Sequence, residues 1–300
     1  MGLETTFDKP DFIGIGPPKT GTTWIYENLR KHPQVVMPPD KEIRYFWERA
    51  FIGNLSYAER LKSEHWHVRG RRFYLKNRFK AHLADLLRLK VDSESLTWDS
   101  RYLLWKQTDA WYSGLFSTSA VGGDISAKYC ELPETEVARI RATFPRLKVV
   151  ITLRDPIERE WSRAKMNLCK KRNRQIADVS TDEFVTEFND PPQFKSNDYK
   201  SLIELWQKQF SPAQVLILFH DELLENPFVY YCRLCDFLQL ERPNREAENR
   251  LREVVYKGIE GTIPPHLKEI LVGMHTDHIQ SLKDFIPQEP YPGKWLERCL

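Results

Sequence analysis

Lys19 stands in a segment whose residue types suit a phosphate-like anion. The run Phe12-Ile13-Gly14-Ile15 ends in Gly16-Pro17-Pro18-Lys19-Thr20-Gly21-Thr22-Thr23, and a helical pattern follows from Trp24. A strand–loop–helix of this kind offers an anion a ring of backbone N–H groups and the positive end of a helix. Gly21 can take the positive φ that a tight phosphate-wrapping turn needs. Lys19 adds a point charge, and Thr20, Thr22 and Thr23 add hydroxyl donors. A Walker A loop reads G-x-x-x-x-G-K-[ST], with its lysine directly after the second glycine. Gly16 and Gly21 keep that separation, but Thr22 takes the Walker lysine position and Lys19 precedes Gly21.

The pattern P-K-T-G-T-T-W resembles the 5′-phosphosulfate loop of sulfotransferases that use 3′-phosphoadenosine 5′-phosphosulfate (PAPS). The resemblance implies that Pro18, Lys19, Thr20, Gly21, Thr22 and Thr23 hold the phosphosulfate. Trp24 would stack on adenine, unless it serves as a core residue at the helix start. Two later segments extend the likeness. Leu147-Lys148-Val149-Val150-Ile151-Thr152-Leu153 reads as a buried strand bounded by prolines, and Pro156 suits the first turn of a following helix. Arg154 then falls at the strand end and Ser162 about two turns along the helix. The family binds the 3′-phosphate with an arginine and a serine at this spacing, and an arginine fork matches phosphate oxygens. Val255-Tyr256-Lys257-Gly258-Ile259-Glu260-Gly261 resembles the family's late R-K-G-x-x-G loop over the 3′-phosphate. Lys257 and Gly258 fall in place there, while Tyr256 stands where many members have arginine.

For the proton acceptor, Lys41-Glu42-Ile43-Arg44-Tyr45-Phe46 resembles the K-E-x-x-[FY]-F segment of heparan-type and bacterial sulfotransferases. The resemblance implies Glu42 as general base, with Lys19 stabilising the leaving oxygen. Surface pairing of Glu42 with Lys41 or Arg44 is the plain alternative. Cytosolic small-molecule members use a histidine before the Arg154 strand, and Asp124-Ile125-Ser126-Ala127-Lys128-Tyr129 has none. Ile125 replaces a lysine, and Leu202 a histidine, found in some relatives. His65, His67 and the basic run Lys170-Lys171-Arg172-Asn173-Arg174 suit either acceptor contacts or a solvated surface. Tyr199-Lys200-Ser201-Leu202-Ile203-Glu204-Leu205-Trp206 and His220-Asp221-Glu222-Leu223-Leu224 also follow the family, and apart from Tyr199 read as scaffold.

Strand patterns near 11–16, 121–125, 147–153 and 215–219, with a further candidate at 34–37, alternate with helical ones at 22–32, 134–143 and 202–206. The stretch 47–118 reads as mostly helical. The alternation predicts an α/β fold: a three-layer, P-loop-like arrangement with a central parallel sheet flanked by helices. Ligands in such sheets bind beyond the carboxyl ends of the strands, where Lys19 and Arg154 both fall. The 300 residues, 41% hydrophobic and 12% aromatic, suffice for one domain spanning 1–300.

The formal charge of +3 suits anionic ligands without requiring nucleic acid. Five cysteines, an odd number in a large chain, argue against a disulfide framework. Cys232 and Cys235 lie in a helical pattern and read as small buried residues rather than a redox pair. No apolar stretch reaches the length of a membrane span, and the N-terminus lacks a charged-then-apolar signal pattern, so the cytoplasm is the default expectation. A Golgi-lumen enzyme with an anchor upstream is the alternative, and Met1-Gly2 formally fits a myristoylation pattern. The expected activity is sulfuryl transfer from PAPS to a hydroxyl, less readily an amine, of a carbohydrate or small molecule. The product is 3′-phosphoadenosine 5′-phosphate (PAP), and no metal is required. A P-loop nucleotide kinase and a polyanion-binding module are the competing readings.

Overall fold

A computed structural model describes residues 5–54, 93–190, 196–253, 255 and 258–299. His65 and His67 lie outside the described residues, as do Tyr256 and Lys257. In chain order the first half holds β1 (Phe12–Gly14), α1 (Thr22–Leu29), α2 (Tyr45–Phe51), α3 (Ser93–Leu104), α4 (Asp109–Ser113) and β2 (Gly123–Ile125). A 3₁₀ turn (Ala127–Glu131), α5 (Glu134–Thr143), β3 (Lys148–Leu153) and α6 (Pro156–Ala164) follow, with α6 running on as a π-helical turn (Lys165–Lys170). The remainder comprises α7 (Thr181–Phe188), α8 (Tyr199–Gln207), β4 (Val215–Phe219), α9 (His220–Glu225) and α10 (Pro227–Leu238). Last come α11 (Arg245–Leu251), α12 (Pro265–Phe285) and α13 (Pro290–Glu297).

The four strands form one parallel sheet in the order β2-β1-β3-β4. Alternation along the strands divides the interior into two cores, because successive side chains point to opposite faces. Ile13, Val149, Ile151 and Leu153 enter the larger core with Trp161, Ile203, Leu271 and Trp295. Phe12, Val150 and Leu218 enter the smaller one with Ile25, Leu29, Tyr230, Tyr231 and Leu234. Helices α1, α10 and α11 thus cover one face, and α6, α8, α12 and α13 the other. This is the three-layer α/β arrangement expected from the sequence. Each fully buried aliphatic side chain contributes about 1.5–3 kcal/mol, so the strand residues with no exposure anchor both layers.

The strand expected at 34–37 is a single parallel bridge between Val35 and Val121. Prolines at 33, 38 and 39 confine it, since each removes a ladder donor. Helix α1 ends at Leu29 rather than near residue 32. Among the described residues of 47–118 the structure is mostly helical, as expected, while 55–92 lie outside them. Cys235 is fully buried on α10, Cys232 is half-buried, and both are free. Among the described residues no helix is long and apolar enough to cross a membrane.

The chain leaves β1 for β2 on one side and then crosses to β3 on the other. The carboxyl ends of β1 and β3 therefore flank the point where strand order reverses, the place where open α/β sheets form a crevice.

Candidate functional site

The loop after β1 is shaped by its contact with β3. A Cβ on Gly16 would lie 1.7 Å from Thr152 Oγ1 and 2.7 Å from the Thr152 carbonyl oxygen, so only glycine fits. Thr20 is completely buried: its hydroxyl donates to Pro17 O at 2.8 Å and pairs with the Thr152 hydroxyl at 2.6 Å. Its hydroxyl thus braces the loop rather than facing the cavity. Lys19 (φ 79°) and Gly21 (φ 95°) both take the left-handed conformation. Glycine does so freely, whereas a lysine there costs roughly 1–3 kcal/mol, strain typical of a ligand clamp. Gly21 is the N-cap of α1 and no side chain caps that end. The first N–H groups of α1 therefore remain available to an anion.

Pro18, Lys19, Gly21, Thr22, Thr23 and Trp24 border a cavity of about 680 Å³. Arg154, Ser162 and Gly258, distant in sequence, border it too, as does Glu42. Of the expected site residues, Thr20 alone among those described is absent from its wall. Trp24 is 8% exposed, with Tyr230 and Tyr231 meeting it edge-on and its Nε1 donating to Leu251 O at 3.3 Å. It is thus a core residue whose rim also borders the cavity.

Burial lowers the Lys19 ammonium to a pKa of about 8, helped by repulsion from Arg154, Lys170, Lys165 and Lys171. It remains mostly charged at neutral pH, in a setting where an anion would be welcome. Arg154 follows β3 directly, donates from Nη1 to Lys19 O at 3.3 Å and faces Glu158 at 3.7 Å. The Tyr199 hydroxyl on α8 donates to the Arg154 carbonyl at 2.7 Å and fixes its backbone. Asp155 caps α6 by accepting from the Ile157 amide at 3.0 Å, with Pro156 in the first turn. Those two residues launch α6 so that Ser162 reaches the cavity two turns later.

The Glu42 carboxylate is tied down on both sides. Arg44 donates to its Oε2 from Nη2 at 2.6 Å and from Nε at 3.0 Å, and Lys41 Nζ lies 3.5 Å from Oε1. Burial pushes the carboxyl up, but the two cations and their hydrogen bonds outweigh it and hold it below the usual range. Glu42 is therefore ionised at neutral pH, paired with Lys41 and Arg44, and borders the cavity. Lys41 Nζ also donates to Thr22 Oγ1 at 3.2 Å, linking this segment to the α1 N-terminus. Arg44 is left-handed (φ 60°), and its amide donates to Ser126 Oγ at 3.1 Å. The Ser126 hydroxyl donates in turn to Asp124 Oδ1 at 2.8 Å, while Tyr129 and Tyr112 donate to Oδ2 at 2.5 and 3.1 Å. Burial raises the Asp124 carboxyl to about 7 against these bonds. It lies behind residues 41–45 and braces them.

Several cavity residues were not assigned to the site on sequence, among them Lys41, His220 and Lys165. Lys41 borders the cavity beside Glu42. His220, in a segment that reads as scaffold, reaches the wall at the end of β4, and burial together with Arg154 drops its imidazole to about 3. Lys165 continues α6 at the wall, donating to Ile259 O at 2.8 Å and Gly261 O at 2.9 Å. The β3–α6 spacing hints at Lys165, and Lys41 opens the K-E-x-x-[FY]-F segment, whereas the segment of His220 reads as scaffold. Trp161 Nε1 also donates to Gly261 O at 3.0 Å, so α6 holds the late glycine loop. Among the described residues no cluster of three His, Cys, Asp or Glu is arranged to hold a metal.

A model of the sulfotransferase family matches residues 10–244, most of the chain and every strand of the sheet. The chain belongs to the sulfotransferase family. The general sulfuryl donor of that family is PAPS. Among solved structures, the chain is similar to a sulfotransferase from Alicyclobacillus acidocaldarius, at 18% identity and TM-score 0.58, covering 96% of this chain and 98% of that one. It is also similar to the sulfotransferase domain of the Synechococcus PCC 7002 olefin synthase, at 16% identity and TM-score 0.55, covering 95% and 97%. The sulfotransferase domain of the curacin biosynthetic pathway aligns at 18% identity and TM-score 0.50, covering 88% and 82%. These likenesses extend the shared fold beyond the family match to the C-terminal helices. No curated protein matches the sequence.

Proposed function

We propose that this sulfotransferase moves the sulfuryl group of PAPS to a hydroxyl, with an amine as second choice, of a carbohydrate or small-molecule acceptor. The observation that carries the reading is the convergence of Lys19, Glu42, Arg154 and Ser162 on one cavity at the carboxyl ends of β1 and β3. The volume of about 680 Å³ lies in the range of nucleotide-sized sites. The uncapped α1 N-terminus and Lys19 suit the 5′-phosphosulfate, and Arg154 with Ser162 suits the 3′-phosphate. The α6-held loop with Gly258 gives the nucleotide a further wall, to which Tyr256 and Lys257 are assigned on sequence.

In the reaction the acceptor O–H gives its proton to the Glu42 carboxylate while its oxygen forms a bond to sulfur. The bond between sulfur and the bridging oxygen breaks, and PAP leaves with the electron pair. Lys19 offsets the charge that grows on the bridging oxygen. Glu42 is already ionised, so it is ready to accept, though its cationic neighbours make it a weak base. Positioning then supplies most of the acceleration. All five cysteines are free, as in a reducing compartment, and the proposal sets the enzyme in the cytoplasm.

The test incubates the protein and hydroxyl acceptors with sulfur-labelled PAPS, or with γ-labelled ATP, in parallel. Label should leave PAPS with EDTA present and should stay on ATP. Magnesium-dependent transfer from ATP alone would overturn the proposal in favour of a kinase.

A further inference from the structure

Lys165 is a buried cation that the reading above does not use. Arg154, Glu158, Ser162 and Lys165 all border the cavity. Their spacings of four, four and three residues put them on one face of α6 and its approach. Lys165 opens the π-helical turn Lys165–Lys170, a widening of the helix often found where a side chain is directed into a site. It is 9% exposed, and its ammonium lies 5.3 Å from the Trp161 ring centroid. Among the described residues its hydrogen bonds reach two carbonyl oxygens, those of Ile259 and Gly261, and no carboxylate. An ammonium has three donors, so one remains for a ligand. Burial and the nearby Arg154 both lower its pKa, with Glu158 opposing them. A bound dianion would relieve that cost. Glu158 is 47% exposed, so its carboxylate can turn to solvent when an anion approaches Arg154.

We propose that Lys165 is a direct ligand of the nucleotide's 3′-phosphate, completing a site with Arg154 and Ser162. This inference rests on the PAPS reading of the cavity. It also accounts for Tyr256 in the late loop, where the family pattern has arginine: the missing cation is supplied from α6. By holding Ile259 and Gly261, the same ammonium joins phosphate binding to the placement of that loop.

The experiment measures affinity for PAP and for adenosine 5′-phosphate, which lacks the 3′-phosphate, in the wild type, Lys165→Gln and Lys165→Arg. Glutamine keeps amide donors for the two carbonyls but removes the charge, and arginine keeps the charge. Lys165→Gln should bind PAP about 10–100-fold more weakly. It should bind adenosine 5′-phosphate within about twofold of wild type, and Lys165→Arg should retain most PAP affinity. Unchanged PAP binding in Lys165→Gln would overturn the proposal, as would equal losses for both nucleotides, which mark a structural tether. A wild type with no preference for PAP would instead overturn the functional reading, and this inference with it.

Discussion

With Lys19 against the nucleotide's phosphate, as proposed, nucleotide affinity depends on pH in a direction set by the burial of its ammonium. Its pKa of about 8 in the free protein follows from burial first and from Arg154, Lys170, Lys165 and Lys171 next. About nine in ten copies are then protonated at pH 7, half at pH 8 and about one in ten at pH 9. A phosphate against the ammonium favours its charged form, so the bound pKa rises. Binding therefore takes up a proton, and PAP affinity should fall about tenfold between pH 7 and pH 9. The nucleotide does not contribute, because a phosphate's second pKa is near 6. The free protein moves the other way. Below about pH 8 both folded and unfolded chains hold the Lys19 proton, and from there to about 10.5 the unfolded chain holds more. Stability from this group consequently rises with pH over that window. Isothermal titration with PAP from pH 7 to 9.5, in buffers of differing ionisation heat, reads both affinity and proton uptake. Lys41 and Lys165 are lowered too, so Lys19→Arg, which stays charged, isolates the Lys19 share. A flat wild-type profile, or an equal slope in Lys19→Arg, would refute the assignment.

Arg154→Ala should weaken PAP by about 10–100-fold, the loss of a charge-assisted contact, while adenosine 5′-phosphate changes little; calorimetry separates the two. Glu42→Gln should leave PAP affinity near wild type and lower turnover by about 10²–10⁴, the usual range for a lost general base. Near-normal turnover would move the base elsewhere, whereas a matching loss of PAP affinity would make Glu42 structural. Gly16→Ala should destabilise the fold by about 1–3 kcal/mol in urea titration, since the added methyl must displace the Thr152 hydroxyl and carbonyl. Unchanged stability there would show that the loop is looser than its contacts with β3 imply.

The parts legible in the sequence are those where chemistry and backbone direction share one short segment. The glycine, lysine and threonine pattern at 16–24 is contiguous, so its turn and helix could be read together with the strand before it. Arg154 and Ser162 were readable because a strand end and Pro156 fix the phase of the next helix. Strands 147–153 and 215–219 showed as compact β-branched and aliphatic runs, and the structure places both with little change. What escaped depends on tertiary contact. Thr20 resembles its neighbours Thr22 and Thr23, yet it turns inward because Thr152 arrives from a strand far along the chain. His220 looked like scaffold, since only the packing of β4 beside β3 brings it to the Arg154 end of the crevice. Nothing in the 124–129 stretch alone tells that Tyr112, Tyr129 and Ser126 close around Asp124. The 34–37 run has strand composition, but its flanking prolines leave room for only one bridge.

The central claim is that the cavity at the ends of β1 and β3 is built for an adenosine nucleotide carrying both 5′- and 3′-phosphates. Titration calorimetry of the wild type with PAP and with adenosine 5′-phosphate, both in EDTA, tests it most directly. The account predicts that PAP binds without divalent metal and at least about tenfold more tightly. Equal affinity for the two nucleotides, or PAP binding that vanishes in EDTA, would contradict it.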